Sequence, residues 1–339
     1  MGKNQESLLR RLYEQRLQIE HDTKSLPENL KVHKGQKRLK LLPISNLFYG
    51  STESVPRIEI LLEQIKQIND MEEGAFFLGG NLFYYPRGVT DEKNDIAVAY
   101  ADNLAELLKN INKDKLLFVY DGVNELKFRD DRKLKYPINI TEMLLDYLGI
   151  DKRKYFKENQ AEIDFVFNNE LTNNKNQSIQ GLFTSIRPIS ASKNAILKKM
   201  ANHPLVHGKD FVLDTSSSHY VEKTIMESRI ASDNKFYNMP QKHISVSGYV
   251  FKPQLVKVTD NYNINTRFLE LSVTPKIAEL SSPEDNVELN KYNKNIICRT
   301  IGNAGEGATQ HDISLIRKLN DALMNKCQTE EQAMQMIKH

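Results

Sequence analysis

The chain has 339 residues, enough for one large domain or two ordinary ones with a buried core. Lys and Arg number 47 against 44 Asp and Glu, a net charge of +3 that is too balanced to argue for a nucleic-acid or membrane partner by charge alone. The two cysteines, Cys298 and Cys327, have no partner spacing, which speaks against a disulfide framework and a zinc knuckle, and no apolar run approaches the roughly 18 residues of a membrane span. The expectation is a soluble protein of a reducing, cytoplasmic setting, with a charged amphipathic N-terminus in place of a signal peptide.

In chain order, Leu8, Leu9, Leu12, Leu17 and Ile19 predict an N-terminal helix over residues 7–19, with Arg10, Arg11 and Arg16 on its polar side. A basic approach follows at Lys34, Lys37, Arg38 and Lys40. Three apolar runs then each close in a small polar loop: residues 41–44 before Ser45, Asn46, Phe48 and Gly50; residues 75–78 before Gly79, Gly80 and Asn81; residues 116–120 before Asp121, Gly122, Val123, Asn124 and Glu125. Between them, helical spacing over residues 54–68, with Pro56 near the first turn, and over residues 95–111 completes a βαβαβ order. That order predicts a parallel sheet with the three loops at one edge. In α/β proteins that edge is where chemistry is usually done.

Thr141 is read as the N-cap and Gly149 as the stop of a short helix over residues 141–148. Residues 163–167 and 179–183 read as antiparallel strands around a polar loop, Lys193–Ala201 as a helix, and residues 211–213 as a strand opening into Asp214, Ser216, Ser217, Ser218 and His219. Residues 243–273 are β-rich, residues 281–295 loop-like, Ile296 and Ile297 a short strand, and residues 312–324 a helix. This divides the chain into an N-terminal helix and basic approach (1–38), a main domain (39–280) and a C-terminal extension with a helix (281–339).

At the three loops the chain resembles the calcineurin-like metallophosphoesterases of phage and bacterial type. That family carries Asp-x-His, Gly-Asp and Gly-Asn-His-Asp/Glu after successive strands, and later His residues complete a two-metal site. Here Ile44-Ser45-Asn46-Leu47-Phe48-Tyr49-Gly50-Ser51 occupies the first position, Gly79-Gly80-Asn81 the second and Gly122-Val123-Asn124-Glu125 the third. The resemblance implies an α/β fold, a four-layer α/β/β/α sandwich with extra N- and C-terminal helices. It also implies loss of the metal site. Asn46 and Asn81 stand for aspartates, Phe48 for a His ligand, Val123 for an Asn ligand and Asn124 for the His that protonates the leaving group; Ser217 and His219 fall at the last His motif. Two divalent ions need anionic and imidazole ligands, and most of these are missing, so no metal or other cofactor is expected.

Three functions follow as expectations. The first is a catalytically inactive member, a phage-type accessory protein acting through protein binding, with Phe48, Phe83 and Val123 as contact surface beside Tyr84 and Tyr85. Small subunits of replicative DNA polymerases and a retromer subunit, which keep this fold for assembly, are the precedents the resemblance offers. The second is a metal-dependent phosphodiesterase or nuclease with a site rebuilt from Asp121, Glu125, Asp214 and His219, using Mn or another divalent metal. The third is a nucleic-acid-binding module that uses Lys34, Lys37, Arg38, Lys40 and the arginines of the first helix. Elsewhere, Pro204 between His203 and His207 predicts a loop in place of a zinc-binding helix. Asp121 and Glu125 are read as hydrogen-bond acceptors for loop N–H groups, and Glu227, Arg229 and Asp233 as charged surface.

Overall fold

The computed structural model describes residues 29–31, 35–51, 55–56, 58–86, 93–130, 138–185, 193–216, 220–230, 236–246, 248–251, 267–275 and 292–300. The helices expected over residues 7–19 and 312–324 lie outside them. Two six-stranded sheets dominate. The first has the order β1 (Asn29–Lys31), β7 (Gln160–Phe167), β8 (Gln177–Thr184), β9 (Phe211–Asp214), β11 (Phe236–Ser245), β10 (Val221–Ile230). The second has the order β14 (Tyr292–Thr300), β13 (Arg267–Pro275), β2 (Arg38–Ile44), β4 (Gly74–Gly79), β5 (Leu116–Tyr120), β6 (Tyr155–Phe156). A small ladder joins β3 (Val55–Pro56) to β12 (Val250–Phe251).

The side-chain pattern explains how the sheets are used. Along β2, Leu39 and Leu41 turn to one face and Leu42 and Ile44 to the other, and all four are buried, as expected of a strand covered on both sides. One face meets the first sheet: Leu41, Phe77, Phe118 and Tyr120 pack with Ile163, Phe165, Phe183, Phe211 and Leu213. Phe77 stacks on Phe118 at 4.8 Å, and Phe183 stands edge-on to both at 5.0 and 4.8 Å. Each such aromatic pair adds about 0.5–1.5 kcal/mol beyond the area it buries.

The opposite face of the second sheet is covered by α1 (Ile58–Asp70) through Leu61, Ile65 and Ile68, α2 (Lys93–Leu108) through Ala97, Ala101 and Leu104, and α4 (Ile140–Leu148) through Leu144 and Leu148. A third cluster sets Ile196 and Met200 of α5 (Lys193–Ala201) on Leu182 and Val212 of the first sheet. The parallel arrangement of β2, β4 and β5, the antiparallel β7–β8 pair and the helix Lys193–Ala201 agree with the sequence reading.

Several local expectations are corrected. Pro56 does not open α1; its backbone pairs with β12, and the helix begins at Ile58. Asn139, not Thr141, caps α4: its side chain accepts from the N–H of Glu142, while Thr141 turns its hydroxyl to Asp121. Gly149 ends that helix at φ 64°, a conformation a Cβ disfavours. Residues 123–125, read as part of a loop, begin the helix α3 (Val123–Asp130). The β10–β11 hairpin was not expected, and the short strand at Ile296 and Ile297 extends over the nine residues of β14.

Candidate functional site

Six strand ends meet at one rim. In the second sheet Ile44 pairs with Leu78 and Gly79 with Tyr120; in the first, Thr184 pairs with Asp214 and Asp214 with Ser245. The residues that follow therefore converge from both sheets: Asn46, Gly80, Asn81 and Gly122 from one, Ser185 and Thr215 from the other. The chain must turn sharply to stay there. Asn46, Phe48, Gly50, Gly80 and Asn81 all adopt positive φ (51°, 46°, 89°, 73° and 53°), which suits Gly and Asn and is costly for Phe48. Two loops then run side by side, with the N–H groups of Asn46, Phe48 and Tyr49 donating to the carbonyls of Gly80 (2.7 Å), Asn81 (3.1 Å) and Leu82 (2.8 Å). A Cβ on Gly122 would overlap the Asn81 backbone, so only glycine permits the third loop to close on the second.

The side chains at this rim bond to one another. Asn81 Nδ2 donates to Asn46 Oδ1 at 3.0 Å, and Asn46 Nδ2 donates to the carbonyl of Thr215 in the opposite sheet. Asn81 Oδ1 accepts from the N–H of Asn124 at 3.2 Å, and Asn81 Nδ2 also reaches Ser185 Oγ at 3.5 Å. The Thr215 hydroxyl donates to the Thr184 carbonyl (3.1 Å) and lies 2.6 Å from the hydroxyl of Tyr120, a further bond between sheets. Gly248 lies against Asn46 so closely that a Cβ there would overlap it. Asn46 and Asn81 are 3% and 6% exposed, so the cluster is a sealed seam.

The carboxylates serve the loops. Glu125, buried in the first turn of α3, accepts from the N–H groups of Asn81 (3.0 Å), Phe83 (2.8 Å) and Gly122 (2.8 Å). Burial pushes its pKa above the usual range, and those N–H groups pull it back. Asp121 accepts from the Thr141 hydroxyl at 2.7 Å and the Tyr155 hydroxyl at 2.8 Å, with Arg129 Nη1 at 3.5 Å. Burial raises its pKa to about 7, opposed by the Thr141 bond and reinforced by nearby Glu125. Asp214 holds the Ser216 hydroxyl at 2.9 Å and the Thr184 hydroxyl at 3.4 Å.

The donor set does not suit a pair of divalent ions. Phe48 and Val123 have no side-chain ligand atom, and Asn124 turns its amide to the Phe83 carbonyl (3.0 Å) while accepting from Lys127 (3.3 Å). Among the described residues no three His, Cys, Asp or Glu side chains gather into a set able to hold a metal. Ser217 and His219 lie outside the described residues, as do Lys34 and the arginines of residues 7–19. Arg38 is paired with Glu73. His203 and His207 follow the end of α5 and turn to different partners, the N–H of Leu205 and the carboxylate of Glu227. Phe83 is fully buried and offers no contact surface. Thr215 and Ser185, which the sequence reading passed over, each stand one residue beyond a strand end, and counting from those ends would have found them.

No family model matches this chain, and no curated protein does. One solved structure similar to it is that of Vps29 from Chaetomium thermophilum, at 11% identity over 78% of this chain and 97% of that chain, with a TM-score of 0.30. At that score the likeness decides neither fold nor function.

Proposed function

We propose that the protein is a non-catalytic form of the calcineurin-like metallophosphoesterase fold, a four-layer α/β/β/α sandwich, and that it acts in the cytoplasm by binding another protein, as a phage-type accessory factor. The observation that carries the reading is the bond between Asn81 Nδ2 and Asn46 Oδ1 at 3.0 Å. At the two positions where the family has charged metal ligands, two neutral amides satisfy each other. A working two-metal centre needs open coordination positions and anionic charge, and an amide nitrogen offers a cation neither charge nor a lone pair. Such a fold is free to keep its scaffold while its function moves elsewhere. Beside the seam, partly exposed Tyr85, Val123, Leu126 and Lys127 line a surface depression together with exposed Asp130, a mixed apolar and charged surface of the kind a protein partner covers.

The test is hydrolysis of phosphomonoesters and phosphodiesters, including single- and double-stranded nucleic acid, with Mn²⁺, Mg²⁺, Zn²⁺ or Co²⁺ supplied. The expected result is no turnover above buffer with any of them. Turnover that depends on added metal and disappears in Asp121→Ala would replace this reading with that of a phosphodiesterase built on Asp121, Glu125 and Asp214.

A further inference from the structure

The first sheet ends at β10, and among the described residues that strand pairs with β11 alone along all ten of its positions. β11 in turn pairs with β9 only from Lys242 to Ser245, so residues 225–230 opposite 236–241 form a two-stranded ribbon. Such a ribbon is marginal by itself, and an edge strand of this length presents a row of backbone donors and acceptors to one more strand. It also carries Met226, 61% exposed, more than any other large hydrophobic side chain among the described residues.

We propose that a second copy of this chain completes the edge, β10 lying antiparallel to β10 of the other copy about a two-fold axis at Ile225. The strand's own charge order selects this register. In a symmetric antiparallel pair, opposite side chains share a face only when one residue lies opposite itself. With Ile225 at the axis, Lys223 of each copy faces Glu227 of the other, twice over, and Thr224 faces Met226 on the reverse side. With Met226 at the axis, Glu227 would instead face Ile225, and neither charge pair would form.

Glu227 is already positioned for the role. Its carboxylate, 14% exposed, accepts from the N–H of Gly208 at 3.1 Å and meets Nδ1 of His207 at 3.2 Å, so the ammonium of the other copy's Lys223 would join a carboxylate that is already held in place. Lys223 is exposed on the strand. The ion pairs themselves contribute little; they choose the register, and the new backbone ladder provides the affinity. The result is one continuous sheet across both molecules, and it does not depend on whether the strand-end rim binds metal.

Sedimentation velocity of the full chain over a range of concentrations tests it. The expected result is a reversible dimer. Lys223→Glu sets like charges opposite each other at both pairs and weakens the dimer about tenfold or more; combining Lys223→Glu with Glu227→Lys restores it. Ile225→Lys, which places two ammonium groups at the axis, gives a monomer whose thermal unfolding remains cooperative. The proposal is overturned by a protein that stays monomeric at every concentration. It is equally overturned by a dimer that Lys223→Glu and Ile225→Lys leave intact, or by one that the charge exchange does not restore.

Discussion

Asn46 differs from an aspartate by a single NH₂ group, and that group donates to the carbonyl of Thr215 across the two sheets. An aspartate there would set a carboxylate oxygen against a carbonyl oxygen in a site only 3% exposed. Losing the donor and leaving the Thr215 carbonyl unmatched costs about 1–3 kcal/mol, and more once a charge is buried. Asn46→Asp is therefore expected to lower stability by about 2 kcal/mol or more in urea unfolding at pH 7, and by less at pH 5, where the new carboxyl takes up a proton. Asp121 carries a second residue-level consequence. Its pKa is ordinary in the unfolded chain and is raised to about 7 when folded, chiefly by burial. Between about pH 4 and 7 the folded protein holds a proton that the unfolded chain has released. This group's contribution to stability is thus complete below pH 4 and is lost as pH rises through 7, with a slope of up to about 1.4 kcal/mol per unit. Urea unfolding at a series of pH values is expected to show that slope in the difference between wild type and Asp121→Asn, and a flat difference would refute the assignment.

Among the elements, those buried on both faces were the ones legible in sequence. β4 is buried at all six positions, and with residues 41–44 of β2 and with β5 it reads as an apolar run, closed by Gly79 in β4, by Ser45 and Asn46 after β2 and by Asp121 after β5. β10 escaped the sequence reading, and β14 was legible only at Ile296 and Ile297, for the opposite reason. They are edge strands whose charged and polar residues, such as Glu222, Lys223 and Thr224 or Asn293 and Lys294, face solvent, so no periodic apolar signal rises above the background. Caps are ambiguous at the scale of one turn. Asn139 and Thr141 are both good N-caps by type, and the choice fell to Asn139 because the Thr141 hydroxyl is drawn to the buried carboxylate of Asp121. The three loops of the site could be located from the strand ends before them. Thr215 can be placed beyond its strand end in the same way, but not its pairing with Asn46, since that bond spans 169 positions and only the stacking of one sheet on the other brings its ends together.

At the scale of the whole molecule, two sheets joined by an aromatic core present six strand ends at one rim, an arrangement that suits a metal pair or a seam. Side-chain charge separates the two. Here the carboxylates of Glu125, Asp121 and Asp214 are taken up by loop N–H groups and hydroxyls, and Asn46, Gly80, Asn81, Ser185 and Thr215 among the described rim residues are amides, hydroxyls or glycine. A seam of this kind joins the sheets through its own hydrogen bonds, which is what the proposed non-catalytic reading requires. The most direct test of that account is elemental analysis of the full chain after equilibration with excess Mn²⁺ and removal of free ion by gel filtration. The account predicts manganese far below one equivalent per chain, the same as in an Asn46→Ala variant; stoichiometric manganese that the variant loses would contradict it.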